Sequence, residues 1–239
     1  MHTTRRITAV MVFATSMLAA PVTSPRAWAQ PVGPRPEPAF PGAVAQPPLT
    51  ASATPSVAGR VQQYLLTPHG EVDGLLLADG TVVKFPPHLG VSLASTVRPG
   101  DSVSAVGFLG LATSYGRAMK ALAITNTATG RTIMDQPPPD RPLPPDQRGL
   151  ARVPLTVSGP LAHLLVNPKG DVDGLVLAAG EQVKFKPKGG AWVLTLLGPA
   201  GGGPVAASGY GTRNAFGTAL EAESITIGGQ TISLRGRGR

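Results

Sequence analysis

Two ionisable side chains recur in this chain at an interval of one hundred residues. Asp73 and Lys84 reappear as Asp173 and Lys184. A lysine ammonium donates hydrogen bonds to carboxylates and phosphates, so the lysines predict contacts with an anionic ligand. The aspartates are candidates for ligand contact too, although a carboxylate at a strand end can equally accept backbone N–H groups. All four residues are therefore candidate ligand-binding residues.

A short run of lysines extends the second copy of this pair. Lys184, Lys186 and Lys188 alternate in the sequence KFKPK, and alternate residues of a continuing strand lie on one face of a sheet. The run adds Lys186 and Lys188 to the candidate ligand-binding residues, with a solvated surface as the alternative interpretation. Residues 235–239, with the sequence RGRGR, are predicted to be a basic tail that attracts anions without specificity.

The sequence offers no pattern for catalysis or for a metal site. Outside the N-terminal segment the histidines are His69, His88 and His163. The second copy has lysine in place of the first two, and a protonated lysine cannot ligate a metal. The chain contains no cysteine, no HExxH motif, no nucleophile elbow and no phosphate-binding loop. We therefore predict a non-enzymatic protein with no catalytic residues, no metal and no cofactor.

An internal repeat specifies the elements that must position these side chains. Residues 57–87 and 157–187 align without a gap and are identical at sixteen of thirty-one positions. Such a duplication predicts two units of the same architecture. Within each unit, turn residues separate three strands, then a short amphipathic helix, then two more strands. The sequence thus predicts a repeat at 57–134 and a second at 157–234.

The segments outside the repeats have other compositions. Residues 1–29 combine Arg5 and Arg6, an apolar run at 7–22 and small residues at Ala27 and Ala29, as a secretory signal peptide does. We expect a periplasmic or secreted protein with no transmembrane segment after cleavage. Residues 30–56 and 135–156 are rich in proline and are predicted to be a disordered spacer and a semi-rigid linker.

The order of elements in each repeat resembles that of the OB fold. In that fold a five-stranded Greek-key barrel carries its helix between strands three and four. The phrases VDGLLLADGTVVKFPP and VRPGDSVSAVG also resemble those of uncharacterised exported bacterial OB-fold proteins. The resemblance implies a mostly β protein with two tandem OB-like barrels, and the binding of small ligands or ions at the barrel.

Comparison of the two copies predicts the register of the second hairpin. A three-residue loop at 78–80, with Gly80 in a left-handed conformation, would pair Leu77 with Thr81. One face would then carry the residues that both copies retain, which in the first are Leu75, Leu77, Val83 and Phe85. The other face would carry Leu76, Val82 and Lys84, and would be the solvent-exposed binding face of an OB fold.

Charge does not favour nucleic acid as the ligand. Residues 57–134 carry six basic and four acidic side chains, and residues 157–234 carry five of each, so the formal charge of +8 lies mainly outside the repeats. The expected binding face also lacks aromatic residues for base stacking. We therefore expect a binding protein for an anionic envelope polymer or a small molecule. Nucleic-acid binding and a protein–protein adaptor acting through Leu76 and Val82 are the alternatives.

Overall fold

The computed structural model describes residues 54–138, 144, 147, 149–198 and 203–234. The predicted signal peptide, most of the proline-rich spacer, part of the linker and the basic tail lie outside these residues. The described part is mostly β and contains two α-helices. Neither helix is long and apolar enough to cross a membrane.

The first sheet closes into a five-stranded barrel. Its strands span Ser56–Leu66 (β1), Val72–Leu77 (β2), Val82–Lys84 (β3), Ser102–Leu109 (β4), Ala118–Asn126 (β5) and Thr132–Met134 (β6). They are ordered β3-β2-β1-β4-β5-β6, and parallel pairing of β3 with β5 closes the barrel. Strand β1 pairs with two strands: its first half pairs with β4 and its second half with β2. A 3-10 turn at Pro87–Leu89 and helix α1 at Gly90–Thr96 lie between β3 and β4.

The second sheet repeats the order of elements but is not closed. Its strands span Val153–Gly159 (β7), Leu161–Val166 (β8), Val172–Leu177 (β9), Gln182–Lys184 (β10), Val205–Asn214 (β11), Gly217–Ile227 (β12) and Gln230–Ser233 (β13). Helix α2 spans Pro187–Leu197. The path runs β7-β11-β12-β10-β9-β8, with β13 on β12. The equivalent of β1 is divided at Pro160, which has no N–H to donate, so β7 and β8 are the two ends of the sheet.

The predicted hairpin register is confirmed in both copies. Leu76 pairs with Val82, and Leu77 N–H donates to Thr81 O over 2.9 Å. Gly80 has a φ of 81° and Gly180 a φ of 94°, a conformation that glycine adopts at low cost. The predicted core residues are all buried: Leu75, Leu77, Val83, Phe85, Leu175, Leu177, Val183 and Phe185.

The prediction that the opposite face is exposed to solvent is wrong. Leu76 and Val82 have an exposed fraction of 0%, and they pack into the hydrophobic core of the second sheet. Gln182, the counterpart of Val82, is also buried. The two sheets lie in one compact unit and cover each other's expected binding face. Residues that differ between the two copies were expected to face solvent, but here they face the other sheet.

Candidate functional site

A β-bulge in each sheet brings the predicted aspartates beside the predicted lysines. Leu65 pairs with Gly74 and Leu66 with Val72, so Asp73 is the additional residue of the bulge. The same shift surrounds Asp173 in β9. A bulge turns a side chain away from the face that simple alternation predicts. Simple alternation predicts Asp73 and Asp173 on the core side of their strands, at the barrel mouth beside Phe85 and Phe185. That prediction is wrong, because the bulges place both aspartates beside the lysines of the opposite face.

The four predicted residues Asp73, Lys84, Asp173 and Lys184 form one charge cluster between the sheets. Lys84 Nζ donates to Asp73 Oδ2 over 3.1 Å. The equivalent bond does not form in the second copy, where Lys184 Nζ is buried without a hydrogen-bond acceptor. Asp73 Oδ1 and Asp173 Oδ1 are also buried without a partner among the described residues. The first copy thus supplies an ion pair, and the second supplies an unmatched cation and an unmatched carboxylate.

The electrostatics of the cluster differ between the two copies. Burial alone would lower the pKa of Lys84 and raise that of Asp73, but the opposite charges in the cluster outweigh burial, so the pKa of Lys84 is raised and that of Asp73 is lowered. Burial lowers the pKa of Lys184 to about 8, and the ammonium of Lys84 adds to this effect. Burial likewise raises the pKa of Asp173. The second pair is therefore the less stable charged pair.

Reciprocal contacts around the cluster hold the two sheets together. Asn214, at the end of β11, donates from Nδ2 to Gly70 O over 2.8 Å, and Leu111 N–H donates to Pro168 O over 3.0 Å. The rings of Tyr64 and Phe216 meet edge to face with centroids 5.7 Å apart. The β11–β12 hairpin of the second sheet therefore lies against the β1–β2 turn of the first, and the β4–β5 hairpin of the first lies against the β8–β9 turn of the second.

Gln182 satisfies two backbone groups of the first barrel. Its Oε1 accepts from Leu66 N–H over 2.8 Å, and its Nε2 donates to Tyr64 O over 2.8 Å. Gln63 donates in the other direction to Gly180 O over 3.3 Å. These bonds explain why a polar residue is buried in β10, where the first copy has valine.

A groove beside the cluster remains open and carries basic side chains. It consists of two adjoining pockets of about 350 Å³ and about 470 Å³, which share Arg152, Phe185, Lys186 and Glu221. The first pocket adds Lys188, Gly189, Tyr210, Ala222, Glu223 and Leu234, and the second adds Thr67, Pro68, His69, Glu71, Pro87 and Lys184. We call these two pockets together the basic groove.

Helix α2 contributes its N-terminal end to the basic groove. Lys186 is the N-cap residue and Lys188 lies in the first turn, which contains no acidic residue. Pro187 has no N–H group, and the N–H groups of Gly189 and Gly190 donate to Lys186 O, so the helix favours an anion here mainly through the positive end of its dipole. Both lysines are exposed, while strand β10 ends at Lys184. The predicted row of three lysines on one strand is therefore wrong, because the helix begins within the run.

Arg152, Glu221 and Tyr210 complete the groove and were not identified from the sequence. Arg152 pairs with Glu221 over 2.8 Å. Tyr210 lies directly opposite Glu221 on β11 and β12 and has an exposed fraction of 41%. An exposed aromatic residue opposite a charged residue on paired strands was a usable signal, since strand neighbours share a face. Arg152 precedes β7 and gave no such signal.

No group of three or more histidine or acidic side chains within the described ranges is arranged to hold a metal ion. A scan with protein-family models finds no match to the chain, and a search of curated proteins finds no significant relative.

Proposed function

We propose that this protein is an exported, non-enzymatic binding protein made of two OB-like modules, and that its ligand is an acidic glycan of the cell envelope. The arrangement of the basic groove is the observation that supports this proposal. Arg152, Lys186 and Lys188 line the same pocket as Tyr210, and the two lysines lie at the N-terminal end of helix α2. Cations for carboxylates beside an aromatic surface for a sugar ring suit a negatively charged carbohydrate.

The acidic residues in the groove agree with a sugar better than with a polyanion such as DNA. Glu221 and Glu223 line the same pocket as the lysines. A carboxylate accepts hydrogen bonds from hydroxyl groups, which every unit of an acidic glycan carries and which a DNA strand carries only at its ends. The pocket volume of about 350 Å³ lies in the range of small-ligand sites.

Binding of a galacturonic acid trimer tests the proposal. We expect binding by calorimetry that weakens with added salt, and no binding of the methyl-esterified trimer, which has the same sugars without charge. A Lys186→Gln, Lys188→Gln variant should lose about tenfold in affinity, because two exposed charge contacts together contribute about 1.4 kcal/mol.

A matched control uses two lysines outside the groove. Lys120→Gln with Lys169→Gln removes the same charge from exposed positions and should leave affinity unchanged within about twofold. Equal losses in both double variants would show non-specific charge attraction and contradict the proposal. Tighter binding of a single-stranded oligonucleotide than of the trimer would favour the nucleic-acid alternative instead.

A further inference from the structure

Lys184 differs from every other lysine of the candidate site in its surroundings. Its Nζ is buried and has no hydrogen-bond acceptor, whereas Lys84 Nζ donates to Asp73 Oδ2. Lys186 and Lys188 are exposed. A buried ammonium without an acceptor is costly, so any group that supplies one would be bound with a gain in free energy.

Lys184 also belongs to both the charge cluster and the basic groove. It lines the pocket of about 470 Å³ together with Arg152 and Lys186. Lys84, its counterpart, does not line either pocket of the groove. Lys184 Nζ itself is buried toward the cluster, so a carboxylate bound between Arg152 and Lys186 would contact it once the Lys184 side chain turns from the cluster into the groove.

We propose that Lys184 is the anchor for a carboxylate of the ligand, and that binding of this carboxylate is coupled to the uptake of a proton. The inference rests on the proposed function and names the group of the glycan that the site recognises. The carboxylate would supply the acceptor that Lys184 lacks, and Arg152 and Lys186 would bind the same end of the sugar acid.

Proton uptake follows from the electrostatics of the free protein. Because the pKa of Lys184 is about 8, about half of the molecules carry a neutral amine there at pH 8. A bound carboxylate favours the ammonium and raises this pKa. The groups that face Lys184 are Lys84, Asp73 and Asp173 in the cluster, and His69, Glu71, Arg152, Lys186 and Glu221 in the groove. Affinity should therefore fall as the pH rises above 8, by up to about tenfold per pH unit.

Calorimetric titration at pH 8 in Tris and in HEPES tests this coupling, since the two buffers differ in ionisation enthalpy. The galacturonic acid trimer is fully ionised at this pH, so any proton exchange comes from the protein and the buffer. We expect an uptake of about half a proton per trimer bound. Lys186→Gln serves as the matched variant, because it should bind more weakly but retain the uptake.

Two substitutions at Lys184 separate charge from proton exchange. Lys184→Met should lose about tenfold in affinity and all of the uptake. Lys184→Arg keeps a charge that cannot be lost at pH 8, so it should bind the trimer with reduced uptake; circular dichroism verifies the folding of both variants. If the wild type bound the trimer without proton uptake, the proposed role of Lys184 would be wrong and the proposed function would stand. The same holds if Lys184→Met took up as many protons as the wild type. Absence of trimer binding would overturn the anchor and the proposed function together.

Discussion

At the scale of single residues, the two copies of the Asp–Lys pair in the charge cluster differ in their contacts. Asp73 and Lys84 form an ion pair, while their copies Asp173 and Lys184 do not. The sequence repeats, but the surroundings do not, because Lys184 lines the basic groove and Lys84 does not. Burial, together with the nearby ammonium of Lys84, destabilises the charged form of Lys184 and lowers its pKa to about 8.

The two lysines should therefore respond in opposite ways to the same substitution. Lys184→Met is expected to raise the free energy of unfolding at pH 7 by about 1–3 kcal/mol, because it removes a buried cation that repels Lys84. Lys84→Met should lower it by about 1–3 kcal/mol, since Asp73 loses its partner. Urea denaturation measures both changes, and each variant is the control for the other.

The effect of Lys184 on the free energy of unfolding should depend on pH. The pKa of Lys184 is about 8 in the folded protein and 10.5 in the ordinary state. Between these values the unfolded chain holds a proton that the folded protein has lost, so the wild type gains stability as the pH rises. The gain in free energy of unfolding of Lys184→Met over the wild type should consequently be smaller at pH 9.5 than at pH 7. An advantage that does not change with pH would show that Lys184 is not strained by its charge.

At the scale of elements, glycines make the turns and bulges that place the cluster. Gly80 takes a positive φ in the three-residue loop, where an added Cβ has its nearest neighbour 3.8 Å away. Gly74 follows the bulge at Asp73 with a φ of 154°, and an added Cβ would lie 2.2 Å from Val83 O. The first glycine is needed for its backbone angle, and the second also for the close approach of β3.

Alanine at these two glycines should have unequal costs. Gly80→Ala is expected to lower the free energy of unfolding by about 1–2 kcal/mol, from backbone strain alone. Gly74→Ala should lower it by more than about 3 kcal/mol, because the backbone of β3 must move as well. Thermal denaturation of the two variants tests the order. Equal losses would mean that the contact between Gly74 and β3 does not limit the bulge.

At the scale of the whole molecule, the two sheets act as one body because each buries the face that the other leaves open. Leu76 and Val82 enter the hydrophobic core of the second sheet, and Ala219 enters that of the first. Gln182 adds the hydrogen bonds that the apolar contacts cannot supply. This arrangement covers the face of each sheet that was expected to bind a ligand, while the basic groove stays open.

Replacement of Gln182 by valine, its counterpart in the first copy, tests the coupling of the two sheets. Gln182→Val leaves Leu66 N–H and Tyr64 C=O without their side-chain partners, so the free energy of unfolding should fall by about 2–4 kcal/mol. Gln62→Val makes the same change at an exposed position of β1 and should alter it by less than about 0.5 kcal/mol. A loss of similar size in both variants, measured by urea denaturation, would contradict a role for Gln182 between the sheets.

The sequence alone determined three features of each repeat. These are the order of strands and helix along the chain, the three-residue hairpin loop and the face of the hairpin that is buried in the core. These features depend on neighbours within a few residues, such as the alternation of Leu75 and Leu77 and the positive φ of Gly80. The tertiary structure decided the rest. The bulge at Asp73, the division of the second sheet at Pro160, the burial of Leu76 and the groove beside Arg152 all depend on which distant surfaces pack together. Side-chain alternation along a strand specifies two faces, but it carries no information on whether water or a second sheet covers the outer one.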